Sequence, residues 1–312
     1  MIDFSSCHTL KKTYAGANGN KISVMYENEV WMIKFPGFAK LNDNLHYTNG
    51  CVSEYLGCHI FNELGVPAQE TLLGTYSSGG KERLVVACKD FTTSGEVIQD
   101  FASLKNQMID SERNGYGTEL SDILETLEEQ KLYDSKELKE HFWNVFIIDA
   151  LIGNWDRHNG NWGFLYDFKN DEIRLAPIFD CGSSLYPQAD LKIMKEVLDK
   201  QQATNDRIYN RPVSALQNQG KRINYFDFIS SLENEDCNEA LKRISSRIDI
   251  NKLYDLVDNT PGLNEIQVNH SLHDKLTTNL AEYDIHDRLS YRRSAHGPGI
   301  AAQAAARPAG YQ

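Results

Sequence analysis

The feature that most constrains this chain is a change of hydrophobic period near Asp90. Before it, apolar and polar residues mostly alternate, as on a half-buried strand; beyond it, apolar residues recur three and four apart, as on a helix. Residues 21–34 read as a hairpin: Ile22-Ser23-Val24-Met25-Tyr26, a polar turn Glu27-Asn28-Glu29, then Val30-Trp31-Met32-Ile33-Lys34. The stretch Ala15-Gly16-Ala17-Asn18-Gly19-Asn20 before it tolerates positive φ and predicts a close turn. Val52, Leu56, Ile60 and Leu64 at four-residue steps predict a helix over 52–64, stopped by Gly65. Residues 71–75 and 83–88 read as two more strands around the turn Ser77-Ser78-Gly79-Gly80.

Past Asp90, residues 120–132 and 135–152 carry helical patterning. The second helix opens on an Asp134-x-x-Glu137 capping pattern and closes at Gly153-Asn154. The loop Trp155-Asp156-Arg157-His158-Asn159-Gly160-Asn161 follows. A further hairpin is expected, with strands over 162–167 and 173–179, ending at Asp180-Cys181-Gly182. Residues 188–220 show weak periodicity and read as a mobile segment; 225–290 resume helical patterning and read as supporting helices. The expected class is α+β and two-lobed: a small β-rich lobe over 1–90, a mainly helical lobe over 91–294, and a compositionally distinct tail over 295–312, disordered or an added remnant.

The 312 residues carry 44 acidic and 32 basic side chains, a formal charge of −12, so broad attraction to nucleic acid or anionic lipid is not expected. Any phosphate must be met locally. No apolar run reaches the roughly 18 residues that span a bilayer, and the first residues lack signal-peptide order, so neither nucleic acid nor membrane is expected as a partner and the chain reads as cytosolic. Six scattered cysteines without Cys-x-x-Cys predict reduced thiols and no zinc site.

Phosphoryl transfer from ATP requires held phosphates, a metal to neutralise charge, and an acceptor hydroxyl beside a carboxylate. Asp156 and Asn161 stand five apart in one loop after a buried helix, the spacing of base and metal-binding amide in a kinase catalytic loop. Asp180 follows a hairpin and precedes a small residue and Gly182, as a metal-holding aspartate does. Such oxygen ligands suit Mg²⁺. Lys34 ends a strand as the lysine that contacts α- and β-phosphates does, although a lone strand lysine commonly guards an edge. Glu54 on the first predicted helix is placed to pair with it, with Glu63 a weaker rival. Arg157 suits either a phosphate or a buttressing carboxylate; His158 could orient the loop backbone or sense pH, a structural histidine in hydrogen-bond contact being the commoner role, and it is counted with the nucleotide-binding residues.

Together these residues resemble the HipA-like serine/threonine kinases, relatives in fold of phosphatidylinositol kinases. The resemblance is carried by Thr13-Tyr14-Ala15-Gly16-Ala17-Asn18, Trp31-Met32-Ile33-Lys34-Phe35-Pro36, Ser53-Glu54-Tyr55, Leu84-Val85-Val86, the loop over 153–161, and Ile178-Phe179-Asp180-Cys181-Gly182. It implies that Asp156 is the base, that Asn161 and Asp180 bind metal, that Gly16, Ala17, Asn18 and Lys34 bind phosphate, and that Val86, Ala87, Cys88 and Lys89 face the adenine. It implies ATP and Mg²⁺ as cofactors, a protein substrate, and autophosphorylation, with Thr13 matching the modified serine. Asn18 departs from the family's glutamine. Toxins of the family carry a further N-terminal domain, so toxin partnership is not expected for a chain starting this close to the phosphate loop. Competing readings are a lipid or small-molecule kinase and a silent nucleotide-binding module.

Overall fold

The computed structural model describes residues 1–14, 21–36, 49–109, 113–189 and 191–261. The predicted loop residues Gly16, Ala17 and Asn18, the helical patterning past 261 and the 295–312 tail lie outside the described residues.

Six strands form one sheet: β1 (Ile2–Asp3), β2 (His8–Leu10), β3 (Lys21–Tyr26), β4 (Glu29–Lys34), β5 (Thr71–Ser78) and β6 (Lys81–Lys89), in the order β1-β5-β6-β4-β3-β2. The β3–β4 turn is tighter than the sequence indicates. It consists of Glu27 and Asn28 alone, both at positive φ (50° and 64°), the left-handed pair that matches the twist of a two-residue hairpin. The period-two patterning fills both faces of this sheet. Phe4, Val24, Trp31, Ile33, Val85 and Ala87 close one apolar layer, while Met32, Leu73, Val86 and Cys88 meet Cys51 on the other side. That inner face lies against α1 (Gly50–Glu63), whose chain is stopped by Gly65 at φ +74°.

The second half is built on α4 (Ser135–Ile152), after β7 (Glu96–Asp100), α2 (Phe101–Met108) and α3 (Leu120–Glu129). Asp134 caps α4 by accepting from Glu137 N at 2.8 Å, and Gly153 ends it in the left-handed conformation. Every residue from Phe142 to Ile152 is buried, so this helix is the axis of the largest apolar cluster rather than a surface helix. After the 153–161 loop come β8 (Gly163–Asp167) and β9 (Glu172–Leu175), which form a three-stranded sheet with β7 in the order β7-β8-β9. The predicted strand over 173–179 ends early. Pro177 has no amide to extend the ladder, and the chain turns so that Ile178 N donates to Pro67 O at 2.8 Å.

The reading of 188–220 as a mobile segment is corrected. It holds α5 (Leu191–Asp199), α6 (Gln201–Asn205), a π-helical turn (Asp206–Asn210) and β10 (Val213–Asn218), which pairs with β11 (Lys221–Asn224). Each element is short, and the anchors Met194, Val197, Ile208 and Leu216 are divided among them, so no single period accumulates. Helices α7 (Tyr225–Ser231), α8 (Glu235–Ser245) and α9 (Ile250–Asp258) then support α4 and α1, as the patterning predicts.

Candidate active site

Four segments distant in sequence converge between the inner face of the large sheet and the end of α4. Lys34, the last residue of β4, donates from Nζ to Glu54 Oε1 at 3.0 Å and to Asp180 Oδ1 at 3.1 Å. Glu54 is the buried partner from α1; Glu63 lies at the far end of that helix, paired with Lys252 at 3.0 Å. Burial by itself would lower the Lys34 ammonium, but the carboxylates of Asp180 and Glu54 outweigh it and hold it well above the usual lysine range. Lys34 in turn draws Asp180 down to about 2, against the partial desolvation of its half-exposed carboxyl. Asp180 sits at φ +60°, a conformation that aspartate tolerates and β-branched residues do not. Gly182 lies close against this pair: a Cβ there would stand 3.0 Å from Glu54 Oε2 and press on the carboxylate that meets Lys34.

The loop between α4 and β8 is folded around its own polar groups. Asp156 N donates to Asn154 Oδ1 at 3.1 Å, and Asp156 O accepts from His158 N and from Asn161 Nδ2, both at 2.8 Å. The second bond fixes the Asn161 amide with its nitrogen on the loop, leaving the oxygen as the group available to a cation. Burial pushes the Asp156 carboxyl above the usual range; His158 opposes the rise, Asp180 adds to it, and Arg222 and Arg157 also oppose it. His158 Nδ1 accepts from Gly160 N at 3.1 Å, which serves the loop's own turn.

Arg157 is committed inward. Its guanidinium meets Asp149 of α4 (Nε to Oδ2, 2.9 Å), donates to Asn161 O at 2.9 Å and to Phe179 O, and reaches Cys181 Sγ at 3.3 Å. One side chain therefore ties the helix, the Asp156 loop and the Asp180 segment together. The buttressing alternative is what the structure holds. Asn154 and Asn159, both buried, extend the frame: Asn154 Nδ2 donates to Asp149 Oδ1 at 2.8 Å, and Asn159 Nδ2 to the carbonyls of Gly115 and Gly117, each at 2.8 Å.

Of the predicted adenine-facing residues, Val86 and Cys88 lie on the inner face with Met32, whereas Ala87 lies on the outer face with Ile33. Lys89 turns outward to Glu29 (2.7 Å) and Glu70 (3.0 Å). Their backbone is flanked by β4 and β5. The chain leaving β6 is fastened by Asp90, which accepts from Tyr14 Oη at 2.8 Å and Thr92 Oγ1 at 2.6 Å and pairs with Lys12. Sequence reasoning missed Asp90, Asp149, Asn159, Arg222 and Lys21. Asp90 carries a signal in retrospect, since Asp-x-Thr is a common side-chain turn; the others are defined by partners at least five residues away or by strand register.

A lysine held by a helix glutamate and a loop aspartate, beside an Asp-x-x-x-x-Asn loop, on a small sheet set against a helical half, defines a protein-kinase-like enzyme. The chain belongs to the HipA-like C-terminal domain family, which it matches over residues 13–250. It is 51% identical over 267 residues to the serine/threonine-protein kinase CtkA of Helicobacter pylori, a span of 85% of this chain and 81% of that protein. The crystal structure of the Helicobacter pylori proinflammatory kinase CtkA superposes with a TM-score of 0.85 at 47% identity, covering 96% of this chain and 99% of that one. HipA of Shewanella oneidensis, solved with HipB and operator DNA, shares the fold at a TM-score of 0.51 and 12% identity, over 92% of this chain and 67% of its own. The chain is thus an enzyme of the serine/threonine-protein kinase class, with an α+β, two-lobed HipA-like fold.

Proposed function

We propose that this kinase transfers the γ-phosphoryl group of ATP, with Mg²⁺, to serine or threonine hydroxyls of a protein, its own chain included. The observation that carries the reading is the contact of Lys34 with both Glu54 and Asp180, because phosphoryl transfer depends mainly on positioned charge. In this reading residues 1–90 form the nucleotide lobe and 91–294 the lobe carrying the catalytic loop. Glu54 holds Lys34 extended toward the α- and β-phosphates. Asp156 accepts the acceptor hydroxyl's proton at its carboxylate, a task for which its raised pKa suits it. Asp180 and the Asn161 amide oxygen would hold magnesium. The donor set fits: both are hard oxygen ligands, and Mg²⁺ commonly takes the rest of its sphere from waters and nucleotide phosphates. When bound, magnesium would supply charge neutralisation to the nucleotide phosphates.

Intact-mass spectrometry of the protein with Mg-ATP tests this. Stepwise gain of phosphoryl groups in the wild type, absent in Asp156→Asn and Asp180→Ala, is the expected result. No gain, together with no transfer to a generic protein substrate, would overturn it. Mapping the phosphates tests Thr13, which is exposed and adjoins the Tyr14–Asp90 contact.

A further inference from the structure

We propose that Arg222 is a specificity residue for the acceptor, selecting serine or threonine hydroxyls flanked by an acidic side chain, an inference that rests on the phosphoryl-transfer reading above. Arg222 lies on β11 and is exposed, yet its guanidinium is held in place. Nε donates to Ser214 O at 2.8 Å and Nη2 to Trp155 O, the carbonyl just before Asp156. Both partners are neutral carbonyls, so these bonds fix the fork without neutralising it. The remaining N–H groups of an arginine fork suit a carboxylate, which takes two parallel bonds from it. A cation beside a general base also works against that base, and Arg222 does oppose the rise that burial gives the Asp156 carboxyl. A neutral donor would hold the same carbonyls without that cost.

The groups assigned to the nucleotide come from other elements: Lys34 from the large sheet, Asp180 from the chain after β9, and Asn161 from the far end of the loop. Arg222 comes to Asp156 on the β10–β11 hairpin and meets the loop at its opening residues, the end left to an acceptor chain while the nucleotide holds the Asp180 side. A second arginine is positioned through the same hairpin. Asn224 donates from Nδ2 to Tyr209 O at 2.9 Å and to Asn210 O at 3.2 Å, fastening the π-helical turn that sets Arg207 over the Tyr186 ring, 4.4 Å from its centroid. The adjacent carboxylate, Asp206, is turned to Arg211 instead. The surface from Trp155 through Arg222 to Arg207 therefore carries two positioned guanidiniums in a chain of net charge −12. The chain as a whole repels an acidic peptide, so its recognition falls to local cations such as these.

A peptide array tests the assignment, with a central serine or threonine flanked at each position in turn by Asp, Ala or Lys. Wild type, Arg222→Gln, Arg222→Lys and Arg222→Glu are compared with Mg-ATP, followed by steady-state constants for the best Asp peptide and its Ala counterpart and a melting curve of each protein. Wild type is expected to favour Asp over Ala at a flanking position by about tenfold in kcat/KM, the worth of one charge-assisted contact. Arg222→Gln should bring that ratio close to one through the KM of the Asp peptide, with the KM for ATP as in wild type. Arg222→Lys should keep part of the ratio, and Arg222→Glu should turn the preference toward Lys. Wild type without an acidic preference would overturn the proposal, as would a preference that survives in Arg222→Gln and Arg222→Glu. Equal loss on both peptides with a lowered melting temperature in all three variants would overturn it too, since that marks a purely structural arginine. A wild type that phosphorylates no peptide would overturn the protein-kinase reading and this proposal with it; transfer without acidic preference leaves that reading intact.

Discussion

Two ion-pair clusters flank Asp180 and differ in how far water reaches them. In the Lys34–Glu54–Asp180 cluster the aspartate keeps 47% of its side-chain surface exposed, whereas Arg157 and Asp149 retain 6% and 1%. A fully buried guanidinium with an ion pair and three further contacts has nowhere to go. It fixes the segment on which Asp180 rides. A half-exposed carboxylate can exchange its lysine for another cation at small cost, because water compensates during the exchange. The difference is one of freedom: the same charge types are locked in one place and left exchangeable in the other.

That contrast can be broken most severely at Asp156, the residue proposed as base. Asp156→Asn keeps the loop's shape and is expected to reduce kcat by about 10²–10⁴-fold with little change in melting temperature, measured by phosphate transfer and thermal unfolding. Arg157→Met attacks the scaffold instead. It leaves Asp149 buried and unpaired, so stability should fall by about 3–5 kcal/mol in denaturant titration, with activity lost as a consequence. A drop in activity without that loss of stability would place Arg157 on the working side of the comparison.

Smaller effects come from the periphery of the two clusters. His141, on α4 near Trp162, is held down to about 4 by burial, with Arg157 adding to it. A histidine whose folded pKa lies below its unfolded value of 6.5 binds more protons when unfolded, so its share of stability is present near pH 7 and is lost as pH falls from 6.5 toward 4. The loss should approach about 3 kcal/mol, and His141→Leu should flatten that part of the stability profile. Asp90→Asn is expected to raise the KM for ATP about five- to tenfold with kcat nearly unchanged, since the Lys12 and Tyr14 contacts lose their charge assistance. Steady-state kinetics at varied ATP separates the two constants.

The exchangeable cluster was largely legible in the sequence. Lys34, Glu54 and Asp180 each sit beside punctuation that a reader can place: a strand end, a helix start, a glycine after a hairpin. Asp156 and Asn161 stand in one short loop whose spacing carries its own meaning. The locked cluster was not legible, because Asp149 lies mid-helix among apolar residues and meets Arg157 only once the loop has folded back. Lys21 was hidden for another reason: its pairing with Lys34 depends on a register set by a two-residue turn, one residue tighter than the turn read from sequence. Residues 188–220 were misread because four short elements share a few apolar anchors, so the ordering signal is tertiary rather than periodic.

If Asp180 holds magnesium, as proposed, it must release Lys34 to do so. Calorimetric titration of AMP-PNP at rising magnesium, in wild type and in Asp180→Asn, tests this most directly. The expected result is nucleotide affinity that tightens with magnesium in the wild type and is indifferent to it in Asp180→Asn, with both proteins melting at similar temperatures. The same magnesium dependence in both would contradict the account.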